Sequence, residues 1–320
     1  MMKQFSAIVV LFLFPFFLCA QELYIYSEPA SALPKNALGV RLFGYSYEEL
    51  KEQRNLGALK LMYGITHNIT VTATGTVSNH HDKMLPSNLI THTHEGTQTY
   101  YQTNEFQRGL NYPYQFNGVS IGAKYRFFSR DAQNEHFRMA LTGEGSYIQT
   151  AHDEAEPTLM DDTKGYSIGW IGTYLYHHFA VSLHTGVILP GSYKETAPDF
   201  FGGDLRTKIE YGRAAFYNLS AGYLLYPSKY KSYSDVNINI YAEFVGKSYD
   251  AATITQNGDN VVPQTDLLKK GQYIDVYPGI QAIIQSNLRI DASVGLPLIG
   301  KSYVRFYPVF MFGIQRYFFL

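Results

Sequence analysis

The amino-acid sequence predicts an all-β fold, a transmembrane antiparallel up-and-down β-barrel of about twelve strands. Three observations predict it: an apolar N-terminal segment typical of export, repeated alternation of apolar and polar residues, and connections that alternate between short and long. No part of the 320 residues resembles a linker, so one barrel domain is expected.

Residues 1–20 have the features of a cleaved signal peptide. Lys3 supplies the positive charge, and residues 7–18 form an apolar run that is too short for a comfortable membrane helix. Ala20 is a plausible cleavage point, although Leu18, three positions before the cut, is larger than such sites favour. Cleavage there would leave residues 21–36 as a periplasmic N-terminal segment before the barrel.

Composition excludes several classes of protein. A formal net charge of -1 provides no electrostatic footprint for a nucleic acid. After residue 18 no apolar run reaches the length of a membrane helix, which excludes a helical membrane protein. Cys19 is the single cysteine, and the large Leu18 before it disfavours a lipid anchor. The 28 tyrosines suit a surface between lipid and water.

Strands are predicted wherever apolar and polar residues alternate, because successive side chains of a strand point to opposite faces. In residues 115–127, Val119 and Ile121 fall on one face, and Ser120 and Lys124 on the other. Such runs place the barrel over residues 37–320. The predicted strands are residues 37–47, 56–66, 68–78, 115–128, 136–150, 164–177, 179–191, 209–226, 234–249, 271–285, 288–298 and 302–320.

The predicted connections alternate as expected for an outer-membrane barrel with short periplasmic turns and longer outer loops. The short ones are 66–68, 129–135, 177–178, 227–233 and 286–287, and the longer ones are 48–55, 79–114, 151–163, 192–208 and 250–270. The last connection, 299–301, is short and breaks the pattern. An even strand count also places both termini on the periplasmic side.

Aromatic residues are predicted to form a girdle at each end of the barrel. Near the short turns these are Tyr125, Phe127, Phe128, Tyr174, Tyr176, Phe179, Tyr223, Tyr226, Phe318 and Phe319. Near the longer loops they are Tyr45, Tyr47, Tyr112, Tyr114, Tyr147, Tyr166, Tyr249, Tyr273 and Tyr303. A soluble β-sandwich or jelly roll is the alternative fold, but its strands are usually shorter.

Two segments resemble a known group of proteins. They are SEPASALPKNALGVRL at residues 27–42 and GAKYRFFSRDAQNEHFRMALTGEGSY at residues 122–147. With the overall layout, they resemble transporter-like Gram-negative outer-membrane barrels similar to the MetA-pathway-of-phenol-degradation family. The resemblance implies a channel-like barrel without a known substrate. The aromatic C-terminal RYFFL also resembles the signal that the barrel-insertion machinery reads, so that machinery, outer-membrane lipid and lipopolysaccharide are the expected partners.

If the apolar faces point to lipid, the opposite faces line the lumen. The lumen-lining candidates are Arg41, Lys60, Lys124, Arg126, Arg138, Glu144, Glu243, Asp275, Arg289, Asp291 and Arg305. They favour a solute pathway with charged walls, in which the excess of basic residues suits anionic or aromatic-acid solutes. A small barrel closed by internal ion pairs is the alternative.

The longest predicted loop, 79–114, contains the metal-ligand candidates His80, His81, His92 and His94. Imidazoles at such spacings bind Zn or Cu if the loop folds them together, whereas the simpler interpretation is a polar, His-rich loop. The acidic residues 152–162 are more typical of a solvated loop than of a calcium site. No cofactor is predicted.

Two other functions compete with a channel. Ser78 and His80 lie close together in the sequence at a strand end, as in outer-membrane lipid hydrolases, but no catalytic pattern flanks them. An enzyme is therefore not predicted. The longer loops would also suit a structural or adhesive barrel that binds a partner. The leading hypothesis is a passive or gated solute pathway.

Overall fold

The structure is a computed structural model. It describes residues 24–49, 51–81, 112–148, 150, 152, 154–198, 202–228, 232, 235–261, 266–302 and 304–319. The predicted signal peptide, and the loop histidines His92 and His94, lie outside these residues. Within the described ranges, no helix has the length and apolar character needed to cross a membrane.

Twelve antiparallel strands close into one barrel, which confirms the predicted fold class. They are β1 (Ala37–Glu49), β2 (Glu52–Gly64), β3 (Ile69–Ser78), β4 (Gln115–Ala132), β5 (Glu135–Ser146), β6 (Gly165–Tyr176), β7 (Phe179–Pro190), β10 (Ala214–Tyr226), β11 (Asn237–Tyr249), β14 (Gly271–Ile284), β15 (Leu288–Ile299) and β16 (Val309–Phe319). The remaining strands, β8 (Ser192–Pro198), β9 (Asp204–Glu210), β12 (Thr253–Gln256) and β13 (Asp259–Val261), form a separate sheet.

Pairing of the first and last strands closes the barrel. The register runs from Ala37 opposite Phe319 to Ser46 opposite Phe310. Each barrel strand otherwise pairs with the barrel strands that precede and follow it in sequence. Closure pairs the backbone N–H and C=O groups that an open edge would leave exposed. A β-sheet can span lipid only when these groups are paired in this way.

The barrel has two ends with different connections. At one end, here called the terminal end, β1 starts, β16 stops and the connections are 65–68, 133–134, 177–178, 227–236 and 285–287. At the other end, the loop end, the connections are 50–51, 79–114, 147–164, 191–213, 250–270 and 300–308. The ends therefore differ as the sequence predicted, apart from the two connections considered next.

Two predicted connections were wrong in length. The predicted loop 48–55 is a two-residue turn, because β1 and β2 stay paired up to Glu49 and Glu52. The predicted short connection 299–301 extends over residues 300–308, because β16 begins only at Val309. The last connection is therefore a true loop, and the first is the short one.

The four-stranded sheet was missed by the sequence analysis. The segment SYKETAP of β8 has polar residues on both faces, so it shows no alternation of apolar and polar side chains. The predicted strand 209–226 joined the end of β9 to β10, which the structure separates at residues 211–213. The sheet packs at the loop end, where Ile209 and Ile254 share a buried cluster with Leu159 of the 147–164 connection.

The exterior is an apolar belt. Leu42, Leu219 and Ile168 are among its exposed side chains, and all ten aromatic residues predicted near the short turns are exposed. The predicted girdle at the loop end was partly wrong. Tyr114, Tyr147 and Tyr166 are exposed, but four of its members are buried inside the barrel: Tyr45, Tyr47, Tyr249 and Tyr273.

Candidate functional site

The interior wall of the barrel carries most of the predicted lumen-lining residues. Those that face inward from strands are Arg41, Lys60, Lys124, Arg138, Glu144, Glu243, Asp275, Arg289 and Asp291. Two predicted positions differ. Arg126 lies at the terminal rim and donates to the carbonyl oxygen of His67 and to Asn68 Oδ1. Arg305 belongs to the 300–308 connection instead of a strand, because β16 starts later than predicted.

The N-terminal segment occupies the terminal half of the lumen. The sequence placed residues 21–36 in a periplasmic segment, whereas residues 24–34 run inside the barrel from the start of β1. Polar wall residues accept its backbone N–H groups. Leu33 N donates to Thr70 Oγ1 at 2.9 Å, and Ala30 N donates to Thr173 Oγ1 at 2.9 Å.

The inner end of this segment is held most closely. The buried Glu243 carboxylate accepts the backbone N–H of Ser27 at 2.7 Å and that of Tyr26 at 3.2 Å. Arg41 Nη2, on β1, donates to the carbonyl oxygens of Tyr24 and Ile25, each at 3.2 Å. Buried peptide groups are costly without partners, and here the charged wall supplies them.

Side chains of the segment add ion pairs. Glu28 pairs with Lys60 and lies 3.5 Å from Lys124 Nζ, which also donates to the Pro29 carbonyl oxygen at 3.0 Å. Arg138 Nη1 donates to Ser31 Oγ at 2.7 Å. The positive wall residues that the sequence assigned to a solute therefore contact the chain itself in this structure.

The 147–164 connection fills the loop-end half of the lumen. Its Glu156 is fully buried, lies 3.0 Å from Lys247 Nζ and accepts Tyr273 OH and Ser302 Oγ, each at 2.8 Å. Burial favours the neutral form of Glu156, but the charges of Lys247 and Arg305 and these hydrogen bonds outweigh it and lower its pKa. The connection is thus fixed through an ionised carboxylate.

The N-terminal segment and the 147–164 connection, here called the two intrusions, meet in the middle of the barrel. Ile25 of the N-terminal segment belongs to a buried cluster against which Met160 and Phe306 of the loop-end connections pack. Arg305 Nη1 donates to Tyr26 OH at 3.1 Å and so links the two halves. A cavity of about 260 Å³ remains beside this layer. Its charged lining residues are Glu28, Arg41, Lys60, Lys124, Glu144, Asp161, Lys247 and Arg305.

Two of the predicted metal ligands lie at the loop end of the lumen. His80 Nδ1 is 2.6 Å from Asp161 Oδ2, and His81 Nε2 is 3.9 Å from Asp162 Oδ2. One ligand atom from each of His80, His81 and Asp161 lies within 4.8 Å of the other two. Asp161 and Asp162 belong to another connection, and the sequence analysis considered them only within the acidic residues 152–162, not as partners of these histidines.

Burial controls the protonation of this group. Desolvation lowers the pKa of His81 to about 3, so its imidazole is neutral at pH 7. Desolvation and then the Asp161 charge raise the pKa of Asp162 to about 8. Asp161 is also desolvated, but His80, His81 and the Tyr45 hydroxyl outweigh this and lower its pKa.

The Ser78–His80 pair of a lipid hydrolase is not assembled in this structure. Ser78 Oγ exchanges hydrogen bonds with the Asn117 side-chain amide at 3.0 and 3.3 Å, while His80 Nδ1 faces Asp161. Ser78 is also fully buried, away from the lipid-facing belt. The described contacts therefore give the Ser78 hydroxyl no histidine base.

The inward direction of the buried tyrosines could have been predicted from the alternation of the two strand faces. Tyr45 and Tyr47 share the odd-numbered face of β1 with Arg41, and Tyr273 shares a face with Asp275. Their phenols then form part of the lumen, where Tyr45 donates to Asp161 and Tyr273 to Glu156. The position of the N-terminal segment has no such signal, because SEPASALP has no period-two pattern.

A closed antiparallel barrel with an apolar exterior, aromatic residues at its rim and a charged interior is a transmembrane β-barrel of the Gram-negative outer-membrane type. In this class the termini and short turns lie in the periplasm and the longer loops outside. The terminal end is therefore the periplasmic end, and the chain crosses the outer membrane many times through its strands.

The fold has a counterpart among solved structures. An outer membrane channel from Pseudomonas putida F1 has a TM-score of 0.55 at 11% sequence identity, over 92% of this chain and 100% of that chain. The NanC porin has a TM-score of 0.42 at 10% identity, over 88% and 99%. Outer membrane phospholipase A from Escherichia coli has a TM-score of 0.34 at 10% identity, over 93% and 95%. At such identities the likeness concerns the fold alone.

Sequence comparisons add no relative to these structures. No protein-family model matches the chain, and no curated protein matches it.

Proposed function

We propose that this barrel is a gated solute pathway across the outer membrane, closed in the present structure by its own chain. The observation that carries the proposal is the charged lumen, in which a cavity of about 260 Å³ lies beside the contact between the N-terminal segment and the loop-end connections. Both intrusions are held by hydrogen bonds and ion pairs to the wall and not by strand pairing. Their displacement would open the lumen and leave the strand pairing of the barrel intact.

The lining charges support anionic solutes. Five of the charged side chains around the cavity are basic and three are acidic. One of the acidic ones, Glu28, belongs to the N-terminal segment and would leave the lumen with it. Lys60 and Lys124 would then lose the Glu28 carboxylate and could attract an anion in its place, because charged walls select solutes of opposite sign.

The class of solute and the family resemblance also belong to this proposal. The resemblance of residues 27–42 and 122–147 to the MetA-pathway-of-phenol-degradation family supports a channel-like barrel, and the excess of basic residues in the lumen supports anionic or aromatic-acid solutes. The Pseudomonas putida protein with the same fold is described as an outer membrane channel, which is compatible with such a pathway. The predicted signal peptide, insertion machinery and lipopolysaccharide contacts likewise remain predictions for this chain.

Conductance of the purified protein in planar bilayers tests the proposal. Glu243→Ala removes the carboxylate that accepts the N–H groups of Tyr26 and Ser27. We expect open events to be rare in the wild type and several-fold more frequent in this variant, with a reversal potential that indicates anion preference. The matched control is Glu144→Ala, which removes another lumen carboxylate whose side chain makes no hydrogen bond to residues 24–34.

The outcomes separate two functions. Equal opening frequencies in Glu243→Ala and Glu144→Ala would show that the N-terminal segment is not the gate. No conductance from any of the three proteins would overturn the channel and favour a structural or adhesive barrel. The closed lumen and the additional sheet at the loop end are the observations that support this second candidate.

A further inference from the structure

The loop end of the lumen holds two adjacent histidines against two adjacent aspartates. His80 and His81 lie two and three positions after Ser78, the last residue of β3, and Asp161 and Asp162 lie in the turn 158–163 of a different connection. The His80 and Asp161 side chains are 1% and 0% exposed, and that of Asp162 is 0% exposed. The group is thus built from two chain segments and shielded from water.

Several polar atoms of this group lack hydrogen-bond partners among the described residues. They include His81 Nε2 and Asp162 Oδ2, which lie 3.9 Å apart, too far for a hydrogen bond. His80 Nε2 is in the same condition. A buried polar atom without a partner is unfavourable, so three in one group indicate a site that can bind a ligand.

The separations suit a metal ion. Zinc binds imidazole nitrogen at about 2.0–2.1 Å and carboxylate oxygen at about 2.0–2.2 Å, which places tetrahedral ligands roughly 3.4 Å apart. His81 Nε2 and Asp162 Oδ2, at 3.9 Å, need to approach by a fraction of an ångström. Ligand atoms of His80, His81 and Asp161 already lie within 4.8 Å of one another.

We propose that His80, His81, Asp161 and Asp162 form a binding site for a divalent transition metal of the zinc class. Two imidazoles and two carboxylates match the nitrogen and oxygen donors that zinc takes. Asp161 can bind the ion and still accept Tyr45 OH, Asn117 Nδ2 and His80 Nδ1, because a carboxylate offers about four lone-pair sites. His80 would then bind the ion through Nε2, which has no partner among the described residues. Arg54 is a cation close enough to the site to contribute to the lowered pKa of His81, and its charge is compensated by Glu49 at 2.6 Å.

The site would join two loops across the mouth of the barrel. His80 and His81 begin the 79–114 connection, and Asp161 and Asp162 belong to the connection that fills the outer half of the lumen. A bound ion would therefore hold the outer intrusion in place. Metal binding itself does not depend on the proposed channel, whereas any effect of the metal on conductance does.

Isothermal titration of Zn²⁺ into full-length protein in detergent, first stripped with EDTA, tests the site. We expect one ion per chain in the wild type. Asp162→Asn keeps the shape of the side chain but cannot supply a carboxylate to the metal, and His81→Ala removes an imidazole. Each should weaken zinc binding by more than about tenfold, since even outer contacts of metal ligands contribute that much.

Two controls make the result decisive. His178→Ala changes one of two adjacent histidines at a periplasmic turn and should bind zinc as the wild type does. The double substitution of His92 and His94 by Ala tests the remaining loop histidines and should also leave binding unchanged. Heat-modifiable gel mobility verifies that each variant is a folded barrel.

Cobalt in place of zinc gives a second measurement, because its visible absorption reports the ligand geometry directly. A tetrahedral spectrum in the wild type that is lost in Asp162→Asn would support the site. The proposal is overturned if the wild type binds no zinc, or if Asp162→Asn and His81→Ala bind it as tightly as the wild type.

Discussion

At the scale of single residues, the charged side chains of the lumen bind the protein's own backbone. Glu243 is fully buried and accepts two N–H groups, and Arg41 donates to two carbonyl oxygens of the same segment. Such groups are expensive to bury without partners. Alternation predicts that Glu243 and Arg41 face inward, but it gives no information about what they contact.

Glu156 makes the docking of the 147–164 connection sensitive to acid. Its pKa is lowered in the docked state, so its contribution is present above its usual value of 4.5 and is lost as the pH falls through the lowered pKa. We therefore expect amide hydrogen exchange in residues 154–164 to become faster below pH 4.5 than at neutral pH, after correction for the intrinsic exchange rate.

Glu156→Gln keeps the shape of this side chain and removes its charge. The variant should show faster exchange at neutral pH and a smaller change on acidification. The control is Glu135→Gln at the exposed terminal rim, which should behave as the wild type. Identical pH profiles for Glu156→Gln and the wild type would contradict this role.

At the scale of elements, the strands could be predicted and the intrusions could not. A strand in a membrane barrel must present apolar side chains on one face, so β11 and β15 have a regular pattern in the sequence. Residues 24–34 have no such requirement, because the wall supplies their hydrogen bonds. Their hydrogen-bond partners are distant in the sequence, as Ser27 and Glu243 are, which lie 216 positions apart.

A disulfide can test whether the N-terminal segment moves. Ala30 N lies 2.9 Å from Thr173 Oγ1, so cysteines at positions 30 and 173 are close enough to be joined after modest adjustment. We expect Ala30→Cys/Thr173→Cys to give fewer channel openings when oxidised than when reduced. Each single variant, measured under both conditions, controls for effects of the reductant.

The His-Asp group shows the same limit of sequence reasoning. The adjacent histidines were visible in the sequence as candidate metal ligands, but their partners Asp161 and Asp162 lie 81 positions further along the chain, in an acidic stretch typical of a solvated loop. Two connections are brought together because both enter the same lumen. The sequence therefore identifies half of the proposed ligand set.

At the scale of the whole molecule, lipid exposure and lumen burial divide every strand into two faces. Leu219 near the middle of β10 is 43% exposed and lies opposite two other outward residues, Leu183 and Phe244. On the other face of β10, Ser220 is fully buried. A shift of one residue would exchange these faces, so the membrane fixes the register.

This division predicts a cost for charge that depends on depth in the membrane. Leu219→Arg places a guanidinium near the bilayer midplane and should lower the free energy of unfolding by about 2–4 kcal/mol. Phe179→Arg, on the adjacent strand β7 at the terminal end, should lower it by about 0–1 kcal/mol, because the side chain reaches the aqueous interface. Urea unfolding in phospholipid vesicles, followed through the fluorescence of Trp170, measures both. Equal losses would mean that the apolar belt does not lie at the depth this structure assigns to it.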